Sequence, residues 1–306
     1  MQIKKKEIAN MKLSTSINVL FGIGPVKEQL TRVYNAGFRN MDICFGDWSG
    51  DYTPWPESPF VQDSWKEWVG VIKEFGNQNG VTFNQGHAPI YNIFDEDERG
   101  KRLEQMSLRS VEAAGMLGIP WLVFHAGTRP GPYLREDIKK LREDNLRWYD
   151  KILNRAAAVG VGIALENMSD RFGKQGEPGC YCSDTEDLID LVDSFHSPHV
   201  GICWDTGHAH LQQVDQVRSI RQIGGRLKAL HIQDGNGLSD QHTAPFYGTI
   251  DWNPILGAIK DVGYDGCFTF EAHMLIRPVP NSCKDDAIRL LYSIGRELVA
   301  RLESMS

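Results

Sequence analysis

Four apolar runs in this chain end on a residue able to hold a metal ion. Ile163-Ala164-Leu165 runs into Glu166, Val200 to Trp204 into Asp205, Leu227 to Leu230 into His231, and Cys267 to Phe270 into Glu271. Three carboxylates and an imidazole are the hard and borderline donors that suit a divalent cation. Two further runs end on histidine, at His87 and His125, and His208 follows Asp205 by three residues. A lone histidine at such a place is more often a structural residue than a ligand. Chemistry-bearing side chains at the ends of six successive runs point to a single assembled site.

The elements that must position these residues alternate. Short apolar runs read as strands at Lys12–Val19, Phe38–Phe45, Val81–His87, Trp121–His125, Val161–Glu166, Val200–Trp204, Leu227–Gln233 and Gly266–Glu271. Helical segments separate them, with Pro25 near one start and Gly37, Gly76 or Gly80, Gly118 and Gly160 as stops. The strands are mostly apolar without alternation, as expected for strands buried on both faces. Strict βα alternation implies a parallel sheet, and eight repeats predict one α/β domain, a single (β/α)8 TIM barrel. An open doubly wound sheet would need a glycine-rich phosphate turn, and Phe21-Gly22-Ile23-Gly24 does not complete one. The barrel is expected to span residues 12–306, with residues 1–11 as an N-terminal lead-in. In a barrel the strand-end residues converge at the C-terminal face, where active sites lie.

Composition narrows the class. The chain has 306 residues, of which 41% are hydrophobic and 24% charged, an ordinary globular balance. No apolar run approaches the ~20 residues that span a bilayer, and no signal-peptide pattern follows Lys4-Lys5-Lys6. The six cysteines are scattered without metal-knuckle spacing, which suits a reduced, cytoplasmic protein. The net charge of −7 argues against a nucleic-acid partner.

The ordered motifs Gly86-His87-Ala88-Pro89, Phe124-His125-Ala126-Gly127, Leu165-Glu166-Asn167, Trp204-Asp205-Thr206-Gly207-His208-Ala209, Leu230-His231-Ile232-Gln233-Asp234, Gly248-Thr249-Ile250-Asp251-Trp252 and Phe270-Glu271 carry a resemblance. The chain resembles the xylose-isomerase-like barrels, which include sugar isomerases and epimerases and the class II apurinic endonucleases. In the epimerase branch, residues matching Glu166, Asp205, His231 and Glu271 hold one divalent metal ion. Manganese or zinc is expected first; magnesium and cobalt are also compatible with these donors.

The resemblance implies proton abstraction next to a carbonyl of a sugar, sugar phosphate or polyol, with the enediolate stabilised by the metal as a Lewis acid. Glu166 and Glu271 would be the acid/base pair, and His208, with His87 and His125, would meet the substrate. The loop Cys44–Trp55 offers Trp48 and Trp55 either to stack on a sugar ring or to pack the barrel mouth or a subunit interface. Lys174, Arg129 and Arg277 lie on loops where a cation could meet a phosphate.

Two alternatives stay open. The endonuclease branch uses a three-zinc site, which this chain matches with Asp240 and His242 as additional ligands. An inosose-dehydratase-like lyase would begin with the same proton abstraction. One departure bears on specificity: ketose 3-epimerases carry an arginine six residues after the metal histidine, and here that position is Gly237. The expected partner is a small carbohydrate, with no membrane and no nucleic acid, and the exposed aromatics suit a homo-oligomer.

Overall fold

The computed structural model describes residues 11–50, 56–129, 135–170 and 180–305. The lead-in, Trp55 and Lys174 lie outside the described residues, apart from Met11. Eight parallel strands are present: β1 (Lys12–Ser16), β2 (Asn40–Cys44), β3 (Thr82–His87), β4 (Trp121–Phe124), β5 (Gly162–Glu166), β6 (Val200–Asp205), β7 (Leu227–His231) and β8 (Cys267–Phe270). They pair in the order β7-β6-β5-β4-β3-β2-β1-β8. The seam between β7 and β8 is closed by a bridge from Ile232 to Phe270. Its hydrogen bonds run from Ile232 N–H to the Thr269 carbonyl at 2.8 Å and from Glu271 N–H to the Ile232 carbonyl at 3.1 Å. The result is the single (β/α)8 barrel.

Around it lie α1 (Val26–Asn35), α2 (Phe45–Ser49), α3 (Trp65–Asn79), α4 (Glu98–Leu117), α5 (Arg135–Val159), α6 (Thr185–Ser194), α7 (Thr206–Gln212), α8 (Gln216–Ile223), α9 (Trp252–Asp261), α10 (His273–Ile276) and α11 (Lys284–Ser304). Local chemistry sets their ends. Asp97 caps α4 by accepting the Gly100 N–H, and Gly118 closes that helix at φ 71°, a conformation only glycine adopts without cost. None of the helices is long and apolar enough to cross a membrane among the described residues.

Three short helices were not expected. The second strand ends at Cys44 because the chain turns directly into α2. The sixth passes straight into α7, because the Asp205 carboxylate accepts the His208 N–H at 2.6 Å and so caps a helix. α10 follows β8 closely, starting at His273 after the N-cap Ala272, with no side-chain cap.

The barrel interior is filled, as in other barrels of this size. One half is apolar, from Val123, Ala164, Cys203 and Ala229. The other is a hydrogen-bonded chain, Ser14 Oγ to Asn84 Oδ1 at 2.6 Å, Asn84 Nδ2 to Thr269 Oγ1 at 2.9 Å, and Thr269 Oγ1 to Gln85 Oε1 at 3.1 Å. A larger core between sheet and helices includes Leu30, Met41, Ile72, Val111, Leu188, Ile220, Leu256 and Leu291.

The long connection after β7 is irregular but fixed by one buried carboxylate. Asp234 accepts N–H groups of Gly235 at 2.8 Å, Ile250 at 3.2 Å and Phe246 at 3.0 Å, and the Trp252 indole N–H at 3.0 Å. A Cβ at Gly248 would come within 2.1 Å of that carboxylate, so the glycine lets the loop close on it. This loop carries Asp240 and His242. Asp234→Ala orphans four donors, three of them backbone, and is expected to destabilise the fold by about 3 kcal/mol in urea unfolding. A loss under ~1 kcal/mol would mean that water replaces the carboxylate and the loop closes by other means.

Candidate active site

Glu166, Asp205 and His231 are the last residues of β5, β6 and β7, and His87 is the last of β3. His125 and Glu271 each stand one residue beyond β4 and β8, and His208 lies in the first turn of α7. All seven meet at the C-terminal mouth. At their centre is the Glu166 carboxylate, 1% exposed. Its Oε2 lies 3.1 Å from His87 Nε2 and 3.0 Å from His125 Nε2. Its Oε1 lies 3.0 Å from His231 Nδ1 and 3.4 Å from His208 Nδ1.

Burial alone would push the Glu166 carboxyl up. The charge of His231 and the hydrogen bonds from His125, His231 and His87 outweigh it and hold the group well below the usual carboxylate range. Burial acts the same way on Glu271, and the charges of His231, His273 and His242 overcome it, bringing the group to about 2.

The histidine tautomers follow from their other contacts. His87 Nδ1 lies 2.7 Å from the Ala88 carbonyl, His208 Nδ1 3.0 Å from the Asn167 carbonyl, and His242 Nδ1 3.2 Å from the Glu271 carbonyl. A carbonyl only accepts, so each Nδ1 carries a proton. In the neutral ring Nε2 is then a lone pair. At His87 that lone pair faces Glu166 Oε2, and at His242 it faces Asp240 Oδ2 at 3.0 Å. Two acceptors face each other stably only with a cation between them or a proton on the ring. Imidazoles oriented through Nδ1 onto a carbonyl are a usual arrangement around metal ions.

The donor set fits a divalent metal. Four overlapping groups place one ligand atom per residue within 4.8 Å of one another: His87, His125, Glu166; Glu166, Asp205, His231; His208, Asp240, His242; and His242, Glu271, His273. His231 Nε2 is buried without a hydrogen-bond partner. It stands 3.6 Å from Glu271 Oε1, beyond hydrogen-bond range. Two ligands of one ion at bond lengths of ~2.0–2.1 Å are held roughly this far apart.

The mouth opens into a cavity of about 600 Å³, lined by His87, His125, Glu166, His208, Asp240, His242 and Glu271 and by Cys44, Ile90, Met168 and Met274; Asp205 and His231 are fully buried and are not part of its lining. Of the three basic residues picked out in the sequence, Arg277 lines it. Its guanidinium meets the Asn18 carbonyl at 3.3 Å and Asp47 at 3.5 Å. Arg129 instead pairs with Asp144 at 2.9 Å and stacks over Phe94. Trp48, offered by the sequence either to a sugar ring or to packing, does not line this cavity. It is 4% exposed and packs against Phe21 and Trp68, at centroid distances of 5.2 and 5.0 Å. His196 and His199 are exposed, away from the site.

Two further groups lie near the centre. His273 lines the cavity beside His242, ring centroids 5.6 Å apart. Burial, with the charges of His242, Arg277 and His231, depresses it to about 3 despite Glu271. Asp42 lies in the middle of β2, not at its end. It is fully buried, neither oxygen has a hydrogen-bond partner, and burial raises it to about 7.

A profile of the xylose isomerase-like TIM barrel family matches residues 30–291. A D-psicose 3-epimerase from Enterocloster bolteae is 32% identical over 293 residues, 90% of this chain and 86% of that one. A probable endonuclease 4 from Bacillus licheniformis is 30% identical over 194 residues, 58% of this chain and 62% of its own length. An uncharacterized protein of Methanocaldococcus jannaschii is 28% identical over 190 residues, 60% of this chain, which spans 62% of that protein. Among solved structures, the IOLI protein with a binding zinc atom superposes with a TM-score of 0.76 at 20% identity, covering 96% of this chain and 100% of the other.

Adding manganese or zinc to chelator-treated protein is expected to raise its thermal midpoint. At a hundred times Kd the gain is about 2.7 kcal/mol, roughly 5 °C for a chain of this size. It should shrink as pH falls, starting above the ~6.5 of an ordinary histidine, because protons compete for imidazoles such as His242, which burial lowers but Asp240 and Glu271 raise to about 9. Glu166→Gln should remove most of it. A midpoint unmoved by either metal would count against a metal centre.

Proposed function

The chain belongs to the xylose isomerase-like TIM barrel family, and on that premise we propose that it is a metal-dependent isomerase or epimerase of a sugar or related polyol. The observation that carries this reading is the placement of two carboxylates across one imidazole. Glu166 Oε1 is 3.0 Å from His231 Nδ1, and Glu271 Oε1 is 3.6 Å from Nε2 of the same ring. Two bases separated by the width of a ring can remove a proton from one face of a carbon acid and return it to the other.

Glu166, Asp205, His231 and Glu271 would hold the ion. A divalent metal bound there would supply Lewis acidity to a carbonyl and its neighbouring hydroxyl. Glu166 enters this chemistry anionic, ready to accept a proton, and the cavity's size suits a single small molecule. His208, His125 and His87 line the same cavity and would orient the substrate oxygens. Manganese or zinc is the preferred ion.

Specificity differs from that of ketose 3-epimerases with the arginine motif. Gly237 occupies that position at φ 70°, where a side chain would be strained, and a Cβ would lie 3.2 Å from His210 Nε2. A cytoplasmic location and a homo-oligomeric state belong to the same reading. The six cysteines are free thiols, and Leu238, Phe246, Tyr247 and Met274 expose apolar surface.

A second reading, zinc-dependent cleavage of abasic nucleic acid, is favoured by the grouping of His208, Asp240 and His242. Against it stands the rim: Arg277 is the one Lys or Arg lining the cavity among the described residues, and it already meets Asp47. A duplex binder needs several phosphate-facing cations.

The decisive experiment pairs metal content per chain with exchange of a carbon-bound proton when ketoses and their phosphates are incubated in deuterated water. One ion per chain with exchange on a ketose is expected. Glu271→Gln and Glu166→Gln should each lower exchange by about 10²-fold or more. Cleavage of an abasic duplex with no exchange on any carbohydrate would replace the proposal with the hydrolase reading.

A further inference from the structure

Gln233 lies two residues past His231 and is wholly buried. Its carboxamide stands between two of the ligand groups. Nε2 donates to both oxygens of Asp205, at 3.1 and 3.0 Å. Oε1 accepts the backbone N–H of His242 at 3.0 Å. The amide has its donors and its acceptor on opposite ends, so it satisfies a carboxylate on β6 and a backbone amide on the rim loop at once. Neither an acid nor a hydrocarbon of the same shape can do both.

The rest of the surroundings hold this amide in place. Gln233 N–H donates to Thr206 Oγ1 at 3.0 Å, and that hydroxyl donates to the Gln233 carbonyl at 2.6 Å. Gly207 packs against the side chain. A Cβ there would fall 2.3 Å from Gln233 Cδ and 2.4 Å from its Oε1. Gly207 is not in a left-handed conformation, so the absence of a side chain at 207 is a matter of room for the amide. Asp205 Oδ1 is further engaged by the His208 N–H at 2.6 Å, and Oδ2 accepts the Gln233 amide at 3.0 Å. The carboxylate is therefore fixed in rotation with lone pairs of Oδ2 still free to meet a cation.

We propose that Gln233 is a positioning residue that locks Asp205 in its ligand pose and, through the same amide, sets His242, so that the inner donor group (Glu166, Asp205, His231) and the outer one (His208, Asp240, His242) are mechanically joined. The proposal rests on the reading of Asp205 as a metal ligand. Groups that orient metal ligands typically contribute 10–100-fold to metal affinity.

The test uses the full chain and two probes, manganese affinity by calorimetry and the visible ligand-field spectrum of the cobalt-loaded protein. Gln233→Leu removes the amide. Gly207→Ala leaves it present but pushes it off Asp205, because the far end of a flexible side chain is what must move. Each variant is expected to bind manganese about 10–100-fold more weakly and to alter the cobalt spectrum. The double variant should bind no more weakly than the worse single one, since both act through one clamp. Wild-type affinity and an unchanged spectrum in Gly207→Ala would overturn the proposal even if Gln233→Leu did not fold. Losses that add in the double variant would also overturn it. Asp205→Asn separates the underlying reading: if it binds metal as the wild type does, Asp205 is not a ligand and the metal assignment fails on its own.

Discussion

A buried carboxylate surrounded by imidazoles is the constraint on which the rest depends. Removing an ion such as Glu166 from water costs several kcal/mol unless it is paired. Four histidines within 3.4 Å supply the compensation. The tautomers set by backbone carbonyls at His87 and His242 leave lone pairs facing Glu166 and Asp240. Such a constellation is stable with protons on its rings or with metal ions in their place. Metal binding in this site is therefore an exchange of protons for a cation, and the fold has to hold the ligands in place for either state.

The barrel does this by delivering each ligand from a different strand and bracing it from behind. Asp205 is at once the end of β6, the cap of α7 and the partner of Gln233. Asn167, next to Glu166, accepts the Asp205 N–H at 2.6 Å and donates to its carbonyl at 3.0 Å, stitching β5 to β6 at the level of the site. The loop carrying Asp240 and His242 is irregular, yet Asp234 gathers its backbone from within. An active-site rim on loops gains precision when buried side chains replace the missing strand ladder.

The same economy of parts explains why the family supports more than one chemistry. Glu166, Asp205, His231 and Glu271 can serve a proton-transfer enzyme. His87, His125, His208, Asp240 and His242 add donors that a phosphodiesterase could use. What separates the outcomes is the surface around the ligands. Here it is a cavity with apolar, imidazole and carboxylate walls and, among the described residues, one guanidinium, which meets Asp47.

The sequence by itself determined the eight strands, the parallel barrel and the strand-end residues, because burial on both faces writes a continuous apolar run and an abrupt polar end marks the mouth. It also determined the helix stops at Gly118 and Gly160, since a left-handed residue there is cheap only for glycine. It could not place Trp48, because an aromatic in a rim loop can face either the cavity or the core, and only packing against Phe21 and Trp68 decided for the core. It gave no warning of α7, whose cap is the same carboxylate that reads as a ligand. Asp42 lay hidden in mid-strand, where alternation does not say which face is wet. The joining of Asp205 to His242 through Gln233, and the reason Gly207 carries no side chain, depend on contacts between β6, α7 and a rim loop. Those are long-range distances, and only the tertiary structure sets them.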